Sequence, residues 1–182
     1  MTRAIEAVTE LIKSLFDEDS KPALHIGEAM NLWIAITAFQ EARSLYYAGL
    51  NTTTDKDLKH VLRNAIEATK ADYNLLKDFM MKEGIPIPAV SEEKPNSDPS
   101  AVPEGVKLTD DEIANLISVK VAASINFCAQ AITQSVRSDV GILFFQIQVE
   151  LMKFSIPLKN LMKNRGWLKK PPSYHPPGVP DK

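Results

Sequence analysis

The stretch Leu24-His25-Ile26-Gly27-Glu28-Ala29-Met30-Asn31-Leu32 returns 84 residues later as Leu108-Thr109-Asp110-Asp111-Glu112-Ile113-Ala114-Asn115-Leu116, with Leu, Glu, Asn and Leu in the same four places. The match extends outward. Thr53-Thr54-Asp55 and Arg137-Ser138-Asp139 stand at the same offset and mark the next helix starts. Met81-Lys82-Glu83-Gly84 and Met162-Lys163-Asn164-Arg165-Gly166 close each half, and each half then reaches a proline pair, Pro86 and Pro88 or Pro171 and Pro172. Matches kept in one order at nearly one spacing argue for a duplicated unit, and that unit is a helical hairpin.

Local signals place the elements. Ile5, Val8, Ile12, Leu15 and Phe16 fall at helical spacing, so residues 1–19 read as a short amphipathic N-terminal helix. The first hairpin spans 20–83. Its first helix starts near Ile26 and runs to about Ala48, where Gly49 and Asn51-Thr52-Thr53-Thr54 end it. Thr54 can cap a second helix from Asp55 to Glu83, stopped by Gly84-Ile85-Pro86. Residues 84–107, with five prolines, read as an irregular crossover. A 27-residue helix is ~40 Å long, and 24 extended residues reach ~80 Å, so the crossover can join opposite ends of a bundle.

The second hairpin spans 108–166. Thr109-Asp110-Asp111-Glu112 is a capping box opening a helix to about Val136. Ser138 can cap the last helix, closed by Gly166, and residues 167–182 form a Pro-rich tail. Pro157 must bend that last helix and deprive the Lys153 carbonyl of its donor, with the Ser155 hydroxyl as the expected substitute. The predicted fold is all-α. It is a ferritin-like four-helix bundle built from a duplicated hairpin with one long crossover, residues 20–182 forming one domain.

Composition narrows the function. A net charge of −2 and a pI near 5.9 leave no basic footprint for nucleic acid. The single cysteine, Cys128, excludes a disulfide framework within the chain. Glu6 and Glu10 interrupt any signal-peptide core, and the uncharged stretch 121–136 is short and polar for a membrane span. These features predict a cytoplasmic protein.

A ferritin-like bundle raises the question of a metal centre. A dinuclear carboxylate site takes Glu from two helices and Glu-x-x-His from the other two. The histidines are His25, His60 and His175, and none follows a Glu by three residues; Asp57-x-x-His60 is the nearest approach. The repeat partners of Glu150, Glu41 and Glu67 are Ile66, Ile125 and Leu151, so the acids are not symmetric. Neither catalytic, cofactor-binding nor metal-ligating residues are assigned, and no cofactor is expected. Glu28 and Glu112 read as helix-start caps in preference to a symmetric carboxylate pair, and Asn31 and Asn115 as inter-helix hydrogen bonds. Cys128, among Ile125, Phe127 and Ile132, reads as a buried thiol.

The helices differ in charge. The 55–83 helix carries twelve charged residues on what reads as a solvated face, Asp72 among them, opposite Leu58, Val61, Leu62, Ala65, Ala68 and Ala71. The segment 121–149 has only Arg137 and Asp139. A helix apolar all round is buried all round, so the second hairpin is expected to meet another subunit, the N-terminal helix or the tail, with Phe144, Phe145 or Ile132 as anchors. Asn126, Gln130 and Gln134 form one polar stripe, either an interface network or that helix's exposed strip.

The sequences of residues 24–33, Gly84-Ile85-Pro86-Ile87-Pro88, Arg137-Ser138-Asp139-Val140 and Lys170-Pro171-Pro172 resemble an uncharacterised ferritin-like family of spore-forming Firmicutes related to spore coat protein F. The resemblance implies a ferritin-like bundle and a place in the spore coat, and it carries over no catalytic residue. The leading expectation is a non-enzymatic structural or assembly protein that forms a homodimer through the second hairpin and meets other coat proteins, with no nucleic-acid or membrane partner. The alternatives are a metal-handling or redox enzyme with a degenerate site near Glu41, His60 and Glu67, and a small-molecule binder between the Gln130 and Gln146 regions.

Overall fold

The computed structural model describes residues 21–174, together with residues 3, 6, 7, 9, 10 and 13. Those six are helical and exposed; the remainder of the expected 1–19 helix lies outside the described residues, as does His175. Four long helices make up the fold: α1 (Ile26–Thr52), α2 (Lys56–Lys82), α3 (Asp110–Gln134) and α4 (Ser138–Arg165), with no strand among the described residues.

Local chemistry sets the helix ends, except that α1 runs through Gly49 to Thr52, past the expected end near Ala48, with the Thr53 amide donating to the Gly49 carbonyl at 2.9 Å. His25 caps α1 through Nδ1, which accepts from the Gly27 amide at 3.0 Å, while Glu28 reaches back to the His25 amide at 3.1 Å. Asp55, one residue beyond the expected Thr54, caps α2 by accepting from the Asp57 and Leu58 amides, both at 2.9 Å. Thr109 and Glu112 form the predicted capping box of α3. The cap position of α4 is Arg137 rather than Ser138, and its side chain makes no cap bond because it is engaged elsewhere. At the other ends, Gly84 (φ +71°) and Gly166 (φ +74°) take the left-handed conformation that a Cβ would strain. The amides of Ile85 and Trp167 then reach back to the carbonyls of Met80 and Met162, each at 2.9 Å.

Packing is strongest within the hairpins α1–α2 and α3–α4; α1 then lies beside α3, and α2 beside α4. The start of α1 meets the end of α3 through His25 and the Gln134 carbonyl, and the start of α2 meets the end of α4 through Asp55 and Arg165. All neighbouring helices are therefore antiparallel, and the 84–107 crossover has to travel the length of the bundle. It does so along α1: Arg43 pairs with Glu93 at 2.6 Å, and Asn51 bonds the Pro95 carbonyl and the Ser97 amide. Two short 3-10 turns, Pro99–Ala101 and Glu104–Val106, interrupt its otherwise irregular path.

The core falls into two apolar halves. One gathers Tyr46, Leu58, Leu62, Ile113, Ile117 and Leu158; the other gathers Leu32, Ile36, Leu76, Cys128, Phe144 and Ile147. α4 continues through Pro157 as one helix, and the Ser155 hydroxyl donates to the Met152 carbonyl at 2.6 Å, not to that of Lys153. A serine side chain reaches back to the preceding turn, and Met152 is the acceptor it finds there.

Candidate functional site

At the end where α1 begins, Arg137 sits 4% exposed at the α3–α4 turn. Its two terminal nitrogens donate to the two Glu83 oxygens, both at 2.7 Å, and Nε and one terminal nitrogen donate to Asp139 at 3.0 and 2.7 Å. The guanidinium also lies 5.8 Å from the centre of the Phe79 ring. Its own amide and that of Val136 donate to Glu28 at 2.7 and 2.8 Å. Glu28, 1% exposed, thus serves two elements with one carboxylate: the first turn of α1 and the turn that opens α4. Arg137 holds Asp139 down at about 2 and lowers Glu83, by hydrogen bonding first in each case. Lys21 adds a further pair to Asp139 at 2.9 Å, and Asn31 donates to Gln134 at 3.1 Å across the α1–α3 seam, as expected.

The opposite end is built from the same positions with other chemistry. Arg165 donates to Asp55 at 3.0 Å and to Asp57 at 2.6 Å, but its side chain is 39% exposed. Asn115 donates to the Trp167 carbonyl at 3.1 Å, tying the tail to α3. Glu112, unlike Glu28, serves only its own helix, through Thr109.

Mid-bundle polarity is not where the sequence suggested. Glu41, His60 and Glu67 are all exposed, and His60 bonds Asn64. Gln130 and Gln146 are exposed too, and with Asn126 and Gln134 also at the surface the polar stripe is the outer strip of α3. Asp72, read as part of the solvated face, is 8% exposed, whereas Ala68 and Ala71, read as apolar-facing, are exposed. The signal was available: Leu58, Leu62, Ala65, Thr69, Asp72 and Leu76 alternate steps of four and three along one seam. Burial, reinforced by Glu150, pushes Asp72 up to about 7. Cys128 is buried as expected, and burial together with Asp72 pushes its thiol to about 12, so it stays protonated. Tyr46 is also pushed to about 12 by burial. Among the described residues no three of His, Cys, Asp or Glu converge in a way that could hold a metal ion.

The apolar second hairpin is not buried all round. Phe144, expected as an outward anchor, is fully buried and meets Phe127 edge-on at 6.0 Å and 77°. Phe145 and Ile132 are half-buried. Leu116, Val119, Met152 and Ile156 are exposed instead, in the half of the hairpin far from its turn. A groove of about 320 Å³ lies between α3 and α4 in the same half, lined by Ser118, Ala122, Ile125, Ser155 and Leu158. By length and composition alone, α3 and α4 are apolar enough to cross a membrane, and only 22% and 33% of their most apolar windows are buried inside the chain.

A four-helix, all-antiparallel bundle with polar knots at both ends defines the class. Within it, residues 13–179 match a family described as a protein of unknown function, DUF3231, and the chain belongs to that family. The chain is 30% identical over 149 residues to the uncharacterised protein YvdQ of Bacillus subtilis, covering 82% of this chain and 88% of that one. It is also 30% identical to a protein of Bacillus halodurans provisionally described as a spore coat protein, with a TM-score of 0.83 over 85% of this chain and 98% of that structure. The spore-coat-related resemblance read from the motifs is therefore shown. A two-domain protein of Anabaena variabilis, containing DJ-1-like and ferritin-like domains, shares the fold alone, at 13% identity and a TM-score of 0.61 over 84% of this chain and 41% of that one.

Proposed function

We propose that the protein is a non-enzymatic structural or assembly component of the spore, working by self-association through the second hairpin. The observation that carries this reading is the apolar surface exposed among the described residues of the second hairpin. Leu116, Val119, Met152 and Ile156 stand exposed in the half of the second hairpin far from its turn, on helices whose most apolar windows are mostly unburied. A stable interface commonly buries about 800 Å² per partner. Four large exposed apolar side chains in one half of the hairpin offer a natural centre for such an interface. The provisional coat description of the Bacillus halodurans relative supports the location, with the cytoplasm as the site of synthesis and other coat proteins as further partners.

The reading includes a ferritin-like duplication and a short amphipathic helix over residues 1–19. Capping glutamates at Glu28 and Glu112, left-handed glycines at Gly84 and Gly166, and one end-to-end crossover support the first. The helical, exposed residues 3, 6, 7, 9, 10 and 13 support the second.

Sedimentation of the full-length protein at micromolar concentration tests the assembly. A dimer that dissociates in a Val119→Lys, Ile156→Lys double variant is expected; a wild-type monomer overturns it. Stoichiometric iron, manganese or zinc in protein purified without added metal would overturn the non-enzymatic part. Immunodetection in fractionated spores and growing cells tests the location.

A further inference from the structure

α2 turns its charges outward with one exception. Asp72 occupies the inward seam between Thr69 and Leu76. A carboxylate in that setting needs hydrogen bonds or a counter-charge. Among the described residues no hydrogen bond or ion pair reaches it, and the charge acting on it most is Glu150, of the same sign. Lys153, the cation nearest Glu150, is already paired with it at 2.6 Å. Asp72 is thus a buried acid that has no hydrogen-bond or ion-pair partner among the described residues.

The carboxyl is not sealed in. It opens on a groove of about 390 Å³ between α2 and α4, walled by Leu75, Phe145, Ile147 and Val149, with Gln146 and Glu150 at its polar side. That volume lies within the range of small-molecule sites, which are mostly apolar with a few placed polar groups. We propose that this groove binds a small organic ammonium ion, its charged nitrogen paired with Asp72 and its hydrocarbon body packed on Leu75, Phe145 and Val149. The chemistry selects this class. An anion meets two carboxylates. A neutral apolar molecule leaves Asp72 without a partner. A bare metal ion finds no third acidic or imidazole ligand among the described residues and gains nothing from the apolar wall. An ammonium supplies the missing charge, and the groove wall holds the aromatic ring of Phe145.

The ammonium pairs with ionised Asp72, so affinity follows the ionised fraction. The charge that acts on it is that of Glu150 from α4; the Cys128 thiol from α3 stays neutral because its own titration is pushed to about 12. With Asp72 titrating at about 7, the ionised fraction rises about tenfold from pH 6 to pH 8 while an alkylamine stays protonated. The site is independent of the assembly reading, which uses Leu116, Val119, Met152 and Ile156.

Calorimetric titration of the full-length protein with 2-phenylethylammonium and with the neutral 2-phenylethanol, at pH 6 and pH 8, tests it. Saturable binding of the ammonium is expected, about tenfold tighter at pH 8, with no saturable binding of the alcohol. Asp72→Asn, which removes a buried charge and keeps the side chain's shape, is expected to fold and to lose binding. Equal binding of the alcohol, binding retained in Asp72→Asn, no saturable ammonium binding at pH 8, or Asp72-dependent binding of Mn²⁺ in its place would each overturn the proposal.

Discussion

The two ends of the bundle perform one task with opposite physics. At each end, the start of a hairpin's second helix is tied to the end of a helix in the other hairpin by an arginine and acidic side chains. At one end Arg137, 4% exposed, opens α4 and grips Glu83 at the close of α2. At the other, Arg165 closes α4 and grips Asp55 at the start of α2, with 39% of its side chain exposed. The roles of the helices are exchanged, and so is the depth. A buried guanidinium with every neighbour satisfied is costly to disturb, because removing it strands the groups it served. An exposed pair works against water and salt and is worth little. The difference teaches that a shared layout of positions does not imply shared energetics; solvent access decides.

The comparison can be broken by mutation. Arg137→Ala is expected to destabilise by about 4 kcal/mol, since it strands Glu83 and Asp139 beside each other. Urea unfolding followed by circular dichroism measures this, and a loss as small as that of Arg165→Ala would erase the distinction. Glu28→Ala is expected next, at roughly 2–3 kcal/mol, because the amides of His25, Val136 and Arg137 lose their acceptor at once. Thr109→Ala, at the corresponding cap of α3, is expected to cost about 1 kcal/mol; equal losses would contradict the double duty of Glu28.

Acid sharpens the contrast. Asp139 titrates at about 2 in the folded chain against 3.8 for an unperturbed aspartate. Its contribution is full above the unfolded value and is lost as pH falls through about 2. That loss is about 2 kcal/mol, and Arg137→Ala should abolish it. A stability profile between pH 5 and pH 2, wild type against variant, checks both sign and size. The smallest effect belongs to Arg165→Ala, expected to cost less than any of the other variants and to shrink further in 1 M salt. A loss unaffected by salt would mean that the exposed end behaves as a buried one.

Much of this was legible in the chain. The stops at Gly84 and Gly166, the capping box at Thr109 and the end-to-end crossover all follow from signals a few residues long. Asp72 and Arg137 were visible as residues but not as what they are. Asp72 was grouped with the charged face because its type outweighed its position on the seam. Arg137 was recognised as a motif marker, while its partners Glu83 and Glu28 lie 54 and 109 residues away in sequence. The outward anchors of the second hairpin were misplaced for a related reason. When a helix is apolar on most sides, periodicity no longer says which side is in, and Phe144 went inward while Met152 and Ile156 stayed out.

The sequence by itself determined the four long helices in two hairpins, the stops at Gly84 and Gly166, the capping box at Thr109, and a crossover able to span the bundle. Caps, left-handed glycines and chain reach act locally and need no partner. Only the tertiary structure decided which charges are buried, which carboxylate serves two helices, and which acid is left facing a groove without a cation. Those depend on what another helix brings to the same point in space, and desolvation there, not residue type, sets the energy.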